Sequence, residues 1–175
     1  GSRIIEEYKA AKSGSANPKL VGLFRNQDPD WVNAVSKQAG FDLLQLCGDE
    51  DDAYISQIEL PIFKQLFIKE GTTSADLSGV VSPFLENKHG IILDSFNKKA
   101  LGGSGKSFDW VTAEGVANRE NVMLAGGLNP ENVQAAIAQL SPWGVDVASG
   151  VEIEGVKDPD RIREFIKAVR SAWPG

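Results

Sequence analysis

Histidine, cysteine and methionine are nearly missing from this chain, with one of each in 175 residues. A single cysteine, Cys47, excludes an intrachain disulfide framework and fits a reducing compartment. A lone histidine, His89, leaves no room for a histidine-rich metal site or a histidine acid–base pair. Its place just before a strand puts it on the face away from any ligand and in solvent. Long apolar runs are also lacking. None approaches the ~20 residues that span a bilayer, and no charged-then-apolar leader opens the sequence. Positive charge is short as well. Eighteen Lys and Arg stand against 24 Asp and Glu, a net charge of −6, which argues against a nucleic-acid partner. What is present, 42% hydrophobic and 24% charged residues, is ordinary for a globular protein. The expectation is one acidic cytoplasmic domain over residues 1–175, with no linker inside it. Gly1-Ser2 reads as the remnant of a tag.

Short apolar runs recur, with polar, helix-patterned stretches between them. They are KLVGLF (19–24), FDLLQLCG (41–48), PIFKQLFI (61–68), GIILDSF (90–96), VMLAGG (122–127) and GVDVASG (144–150). Continuous rather than alternating apolar character points to parallel strands buried on both faces, hence α/β. Helix signals fill the gaps. Asp28 or Asp30 can cap, Pro29 suits the first turn and Gly40 the stop. Pro83 interrupts any long helix in its segment. Asn129 caps, Pro130 takes the first helical position, and Glu131 suits the positive end of the dipole. A further helical segment is expected over FDWVTAEGVAN, with Asp109 as its cap. The acidic run Asp49–Asp52 reads as ordinary charge at a helix start. Glycines and polar residues gather just past the strand ends, at Cys47-Gly48, Asp94-Ser95, Gly126-Gly127 and Ser149-Gly150. Both candidate architectures, an open doubly wound sheet and part of a (βα)8 barrel, bind ligands at that end.

The stretch LGGSGKSFDWV (101–111) has the flavour of a nucleotide-phosphate loop, but its spacing is wrong. The Walker pattern needs four residues between its first glycine and Gly-Lys, opening a helix directly after a strand. Here Gly105-Lys106 follow Gly102 and Gly103 too closely, and a polar stretch separates them from the strand. A covering loop fits better, with Gly103 and Lys106 as its contacts to a ligand.

LVGLFRNQ, LLQLCGDE, LDS, GGSGKSFDW, MLAGGLNPENV and GVDVASGVEIEGVKD follow one another at sensible spacing. Together they resemble phosphoribosylanthranilate isomerase of tryptophan biosynthesis, in its fungal form, from about Tyr8 onward. The resemblance implies a (βα)8 barrel with no metal or organic cofactor. It also implies an Amadori rearrangement of N-(5′-phosphoribosyl)anthranilate to a 1-deoxyribulose phosphate. It makes Asp94 the general acid and sets Asp146 against the anthranilate moiety. The phosphate then falls to Gly126 and Gly127, where bare backbone N–H groups can approach an anion. Ser149 and Gly150, at the start of a following short helix, complete that grip.

Two departures accompany the resemblance. The family opens with a strand ending in K-x-C-G, whose cysteine is the general base, then a helix and a second strand. This chain starts inside the next helix and so carries six parallel strands. Cys47 also stands where the family has histidine. A thiol there could replace the base, but a small inert core cysteine is the expected role. The alternative function is an inactive truncated relative that binds a phosphorylated ligand or a protein partner. The terminal strands should favour self-association or pairing with a missing N-terminal segment. The chain could also be one part of a multifunctional polypeptide.

Overall fold

The computed structural model describes residues 18–69, 71–95 and 110–173. It divides into two compact units, one ending at Gln65 and the other beginning at Leu66. Gly103, Lys106 and the cap expected at Asp109 lie outside the described residues, as do Gly1 and Ser2.

The first unit builds β1 (Val21–Phe24), α1 (Pro29–Ala39), β2 (Leu43–Leu46), α2 (Asp52–Ile55) and the start of β3 (Ile62–Ile68). Its helices start where side chains satisfy the first free amides. Asp28 accepts from the Trp31 N–H, Pro29 fills the first turn, and Gly40, left-handed at φ 73°, ends α1. Asp51 caps the single turn of α2 through the Tyr54 N–H at 2.8 Å. Parallel registers run Val21 opposite Leu43 and Leu44 opposite Ile62. Phe24, Val32, Leu44, Leu46, Ile55 and Ile62 form the buried apolar set. Phe24 meets Trp31 and Phe41 edge to face.

The second unit continues with α3 (Ser74–Glu86), β4 (Gly90–Ser95), a 3-10 turn (Trp110–Ala113) and β5 (Val122–Leu124). Then come α4 (Val133–Leu140), β6 (Gly144–Val145) and a second 3-10 turn (Ser149–Val151). A hairpin of β7 (Glu152–Ile153) and β8 (Val156–Lys157) and the long α5 (Pro159–Ala172) complete it. Ile91, Leu93, Val122, Leu124, Val133 and Ile137 are among its core. Strands β1 to β6 belong to one sheet in chain order, parallel in each described register. All six expected strands are therefore present in an α/β arrangement.

Four local expectations change. Pro83 lies inside α3, which runs on to Glu86. The carbonyl it leaves without an α-helical donor is that of Gly79. Asn129 does cap, accepting from the N–H groups of Glu131 and Asn132, but the α-helix begins only at Val133. The described part of FDWVTAEGVAN, 110–118, holds a four-residue 3-10 turn and no α-helix, with Gly115 at φ 73° just past the turn. His89 is half-buried, not exposed, and its N–H closes the end of α3 on the Phe84 carbonyl.

Candidate functional site

Three strand ends of the second unit converge on one cavity of about 130 Å³. Asp94 comes from the end of β4, Ala125–Leu128 from the turn after β5, and Asp146–Gly150 from the segment after β6. The sheet itself sets this up. Ala125 N–H reaches the Leu93 carbonyl and Asp146 N–H reaches the Leu124 carbonyl, each at 2.8 Å, so neighbouring strands end in step. Gly126 and Gly127 both take positive φ, 84° and 69°, which turns the chain sharply after β5. Gly150 serves a different need. A Cβ there would stand 1.8 Å from the Leu128 carbonyl oxygen, so the two loops touch backbone to backbone. Among the described residues, the amides of Gly126, Gly127, Ser149 and Gly150 donate to no protein acceptor. Six expected site residues, Asp94, Gly126, Gly127, Asp146, Ser149 and Gly150, thus share one cavity.

The two carboxyl groups interact. Burial, and then the negative charge of Asp94, push Asp146 above its ordinary value of 3.8. The Val147 N–H and Lys157 pull it back only in part. A native pKa above the unfolded one gives stability that is complete below about pH 3.8 and is lost as pH rises through the native value. Asp146→Asn should therefore flatten that part of the stability profile. Urea midpoints taken from about pH 3 to 7 check it, and a profile parallel to that of the parent chain would refute it.

Cys47 belongs to the first unit and is half-buried, its Sγ 3.9 Å from the Gln45 carbonyl. Burial raises its pKa above 9.0 against the opposing pull of Gln45, Arg25 and Lys64, so the thiol stays protonated at neutral pH. Those properties suit the inert role expected of it and not that of a replacement base.

The acidic run beside it holds a feature that the sequence reading missed. Glu50 is not helix-start charge on the surface. It is 5% exposed and pairs with Lys64, 4% exposed, at 2.8 Å. Its carboxylate also accepts from the amides of Asn26 (2.7 Å) and Gly48 (2.9 Å), and Lys64 Nζ donates to the Gly48 carbonyl at 2.5 Å. Asn26 Oδ1 then accepts from the Asp49 N–H at 2.8 Å. One buried pair thereby locks the turns after β1 and β2. The available signal was a lysine inside an apolar strand, PIFKQLFI, which demands a buried partner.

Among the described residues no cluster of His, Cys, Asp and Glu is arranged to hold a metal ion, and no helix is long and apolar enough to cross a membrane.

The sequence matches the family of N-(5′-phosphoribosyl)anthranilate isomerases over residues 2–168. The chain belongs to that family. The isomerase of Dehalococcoides mccartyi is 40% identical over 97% of this chain and 79% of its own length. That of Geotalea uraniireducens is 39% identical over 95% and 81%. Among solved structures, the Thermotoga maritima phosphoribosyl anthranilate isomerase superposes with a TM-score of 0.76 at 31% identity, covering 95% of this chain and 80% of its own. A second isomerase structure, in complex with reduced 1-(o-carboxyphenylamino)-1-deoxyribulose 5-phosphate, gives 0.73 at 28%, covering 95% and 79%. The function is that of the family, isomerisation of phosphoribosylanthranilate in tryptophan biosynthesis. The expected likeness to the fungal form finds no support in these bacterial relatives, and the inactive alternative finds none either.

Proposed function

We propose that the cavity at the ends of β4, β5 and β6 is where N-(5′-phosphoribosyl)anthranilate reacts, with Asp94 as general acid. Asp94 would protonate the furanose ring oxygen as the C1–O bond opens, and a base then removes the C2 proton. Asp146 faces the anthranilate side, and Gly126, Gly127, Ser149 and Gly150 hold the phosphate. The single observation that carries this is the meeting of Asp94 and Asp146 in a cavity whose loop amides donate to no acceptor among the described residues. We place the protein in the cytoplasm, without a nucleic-acid or membrane partner, on its net charge of −6 and the biosynthetic pathway.

We propose further that β1, the first strand of its sheet, pairs with one more strand, from a second copy or from chain that precedes the matched part. β1 is paired to β2, and Leu23 on it is 64% exposed.

Asp94→Asn tests the central assignment. Turnover should fall by about two to four orders of magnitude while phosphate still protects the protein against heat. Undiminished turnover would remove Asp94 from the acid role. Light scattering on the same samples addresses the edge, and a clean monomer counts against it.

A further inference from the structure

The chain turns sharply after β6, and the turn is held from behind by two cations that do not line the cavity. Lys157, on β8, donates to the Ala148 carbonyl at 2.6 Å. Arg161, on α5, donates to the Gly150 carbonyl through Nε at 3.3 Å and Nη2 at 3.2 Å. Each cation is itself steered by a carboxylate. Lys157 meets Glu152 at 2.7 Å, and Arg161 meets both oxygens of Glu131 at 3.1 Å. The hairpin turn at Glu154-Gly155, both at positive φ, carries Lys157 back alongside Glu152.

A trans peptide points its C=O and the next residue's N–H in opposite directions. Fixing the Ala148 carbonyl on Lys157 therefore fixes the Ser149 N–H on the far side. Ala148 and Ser149 line the cavity and Lys157 does not. The same logic applies one peptide on, where the Ser149 carbonyl accepts the Glu152 N–H and so orients the Gly150 N–H. A cation on the carbonyl also polarises the peptide and strengthens its N–H as a donor. Positive charge would thus be relayed through the peptide to an anion in the cavity, whose lining does not include Lys157. Arg161 adds a second tether at the end of the same segment and joins it to the turn before α4 through Glu131.

We infer that Lys157, backed by Arg161, is a positioning residue for phosphate, holding the 148–150 backbone so that its amides face the anion. This rests on the phosphate cradle proposed above. A purely structural role predicts something else. Lys157 is half exposed, and an exposed ion pair contributes little to stability. Its loss should then pass unnoticed in the melting curve and in ligand binding alike.

The experiment measures the rise in melting temperature with added inorganic phosphate, for the parent chain, Lys157→Met, Lys157→Arg and Arg161→Met. The expected result for Lys157→Met is an unchanged melting temperature without phosphate and an apparent phosphate affinity weaker by roughly tenfold. Lys157→Arg should recover much of the loss, and Arg161→Met should weaken phosphate in the same direction. With the natural substrate, Lys157→Met should raise KM and leave kcat near that of the parent. A parent chain that responds to phosphate beside a Lys157→Met variant that responds equally would overturn this inference alone. A parent chain with no response would overturn the cradle and the inference together. Should Arg161→Met fail to fold, the two Lys157 variants still decide.

Discussion

Lys64→Met should destabilise the protein by about 3–5 kcal/mol at neutral pH, because it strands the Glu50 carboxylate in the interior without its cation. Burial alone would push Glu50 up, but the hydrogen bonds from Lys64 and the Asn26 amide, with the Lys64 charge, hold it below its ordinary 4.5. The sign of the pH effect follows. A lowered native pKa gives stability that is present above the unfolded value, near 4.5, and lost as pH falls through the native one. In Lys64→Met only the Asn26 and Gly48 amides still oppose burial, so the Glu50 carboxyl shifts toward its protonated form and the variant regains stability toward acid. The gap between the two proteins should be widest near pH 7 and shrink toward pH 4. Urea denaturation at both pH values measures it. The double variant Lys64→Met with Glu50→Leu should recover much of the loss, since two apolar groups leave no charge buried. Equal midpoints for Lys64→Met and the parent at pH 7 would show that the pair does not hold these turns.

Gly150→Ala is the second large effect, and its cause is space, not backbone conformation. The added methyl would meet the Leu128 carbonyl oxygen at 1.8 Å, its carbon at 2.8 Å and the Asn129 Cα at 3.1 Å. All three belong to backbone, so no side chain can swing aside and the loops after β5 and β6 must separate. Overpacking of this kind costs about 1–3 kcal/mol. The separation would also spread the amides that the phosphate needs, so phosphate protection should be lost as well. Gly127→Ala makes the contrast. Nothing lies within 4 Å of its Cβ position, but φ is 69°, so the cost is the strain of a left-handed residue, about 1–2 kcal/mol. Thermal melts with and without phosphate separate the two. A Gly150→Ala protein that melts and binds like its parent would mean that the loops are not in contact.

Much of this was open to reading from residues alone. Apolar runs bounded by cap residues gave all six strands of the parallel sheet, because Asp28, Pro29 and Gly40 act locally and need no tertiary context. Asp94, Gly126, Gly127, Ser149 and Gly150 were legible because a parallel sheet delivers successive strand ends to one side, whereas Asp146 was legible only through the family resemblance. What escaped depends on pairings that lie far apart in the chain. Glu50 looked like surface charge beside Asp49, Asp51 and Asp52, and only folding brings it to Lys64. Lys157 and Arg161 showed nothing in their own segment, since what they hold is the backbone of Ala148 and Gly150. The 3-10 turn at Trp110 escaped for the opposite reason, a local one: Gly115 outweighed the helical pattern around it.

The strand order has one more consequence, for the way the protein is made. Paired residues are Val21 with Leu43, Leu44 with Ile62, Ile91 with Val122, and Met123 with Gly144, so these partners stand only 18 to 31 positions apart in the chain. Loop-closure entropy rises slowly with such lengths. A nascent chain leaving the ribosome therefore meets each new strand's partner already synthesised, and none of these ladders waits for the far terminus. Assembly can follow translation strand by strand, limiting the time for which each growing edge stands open to other chains.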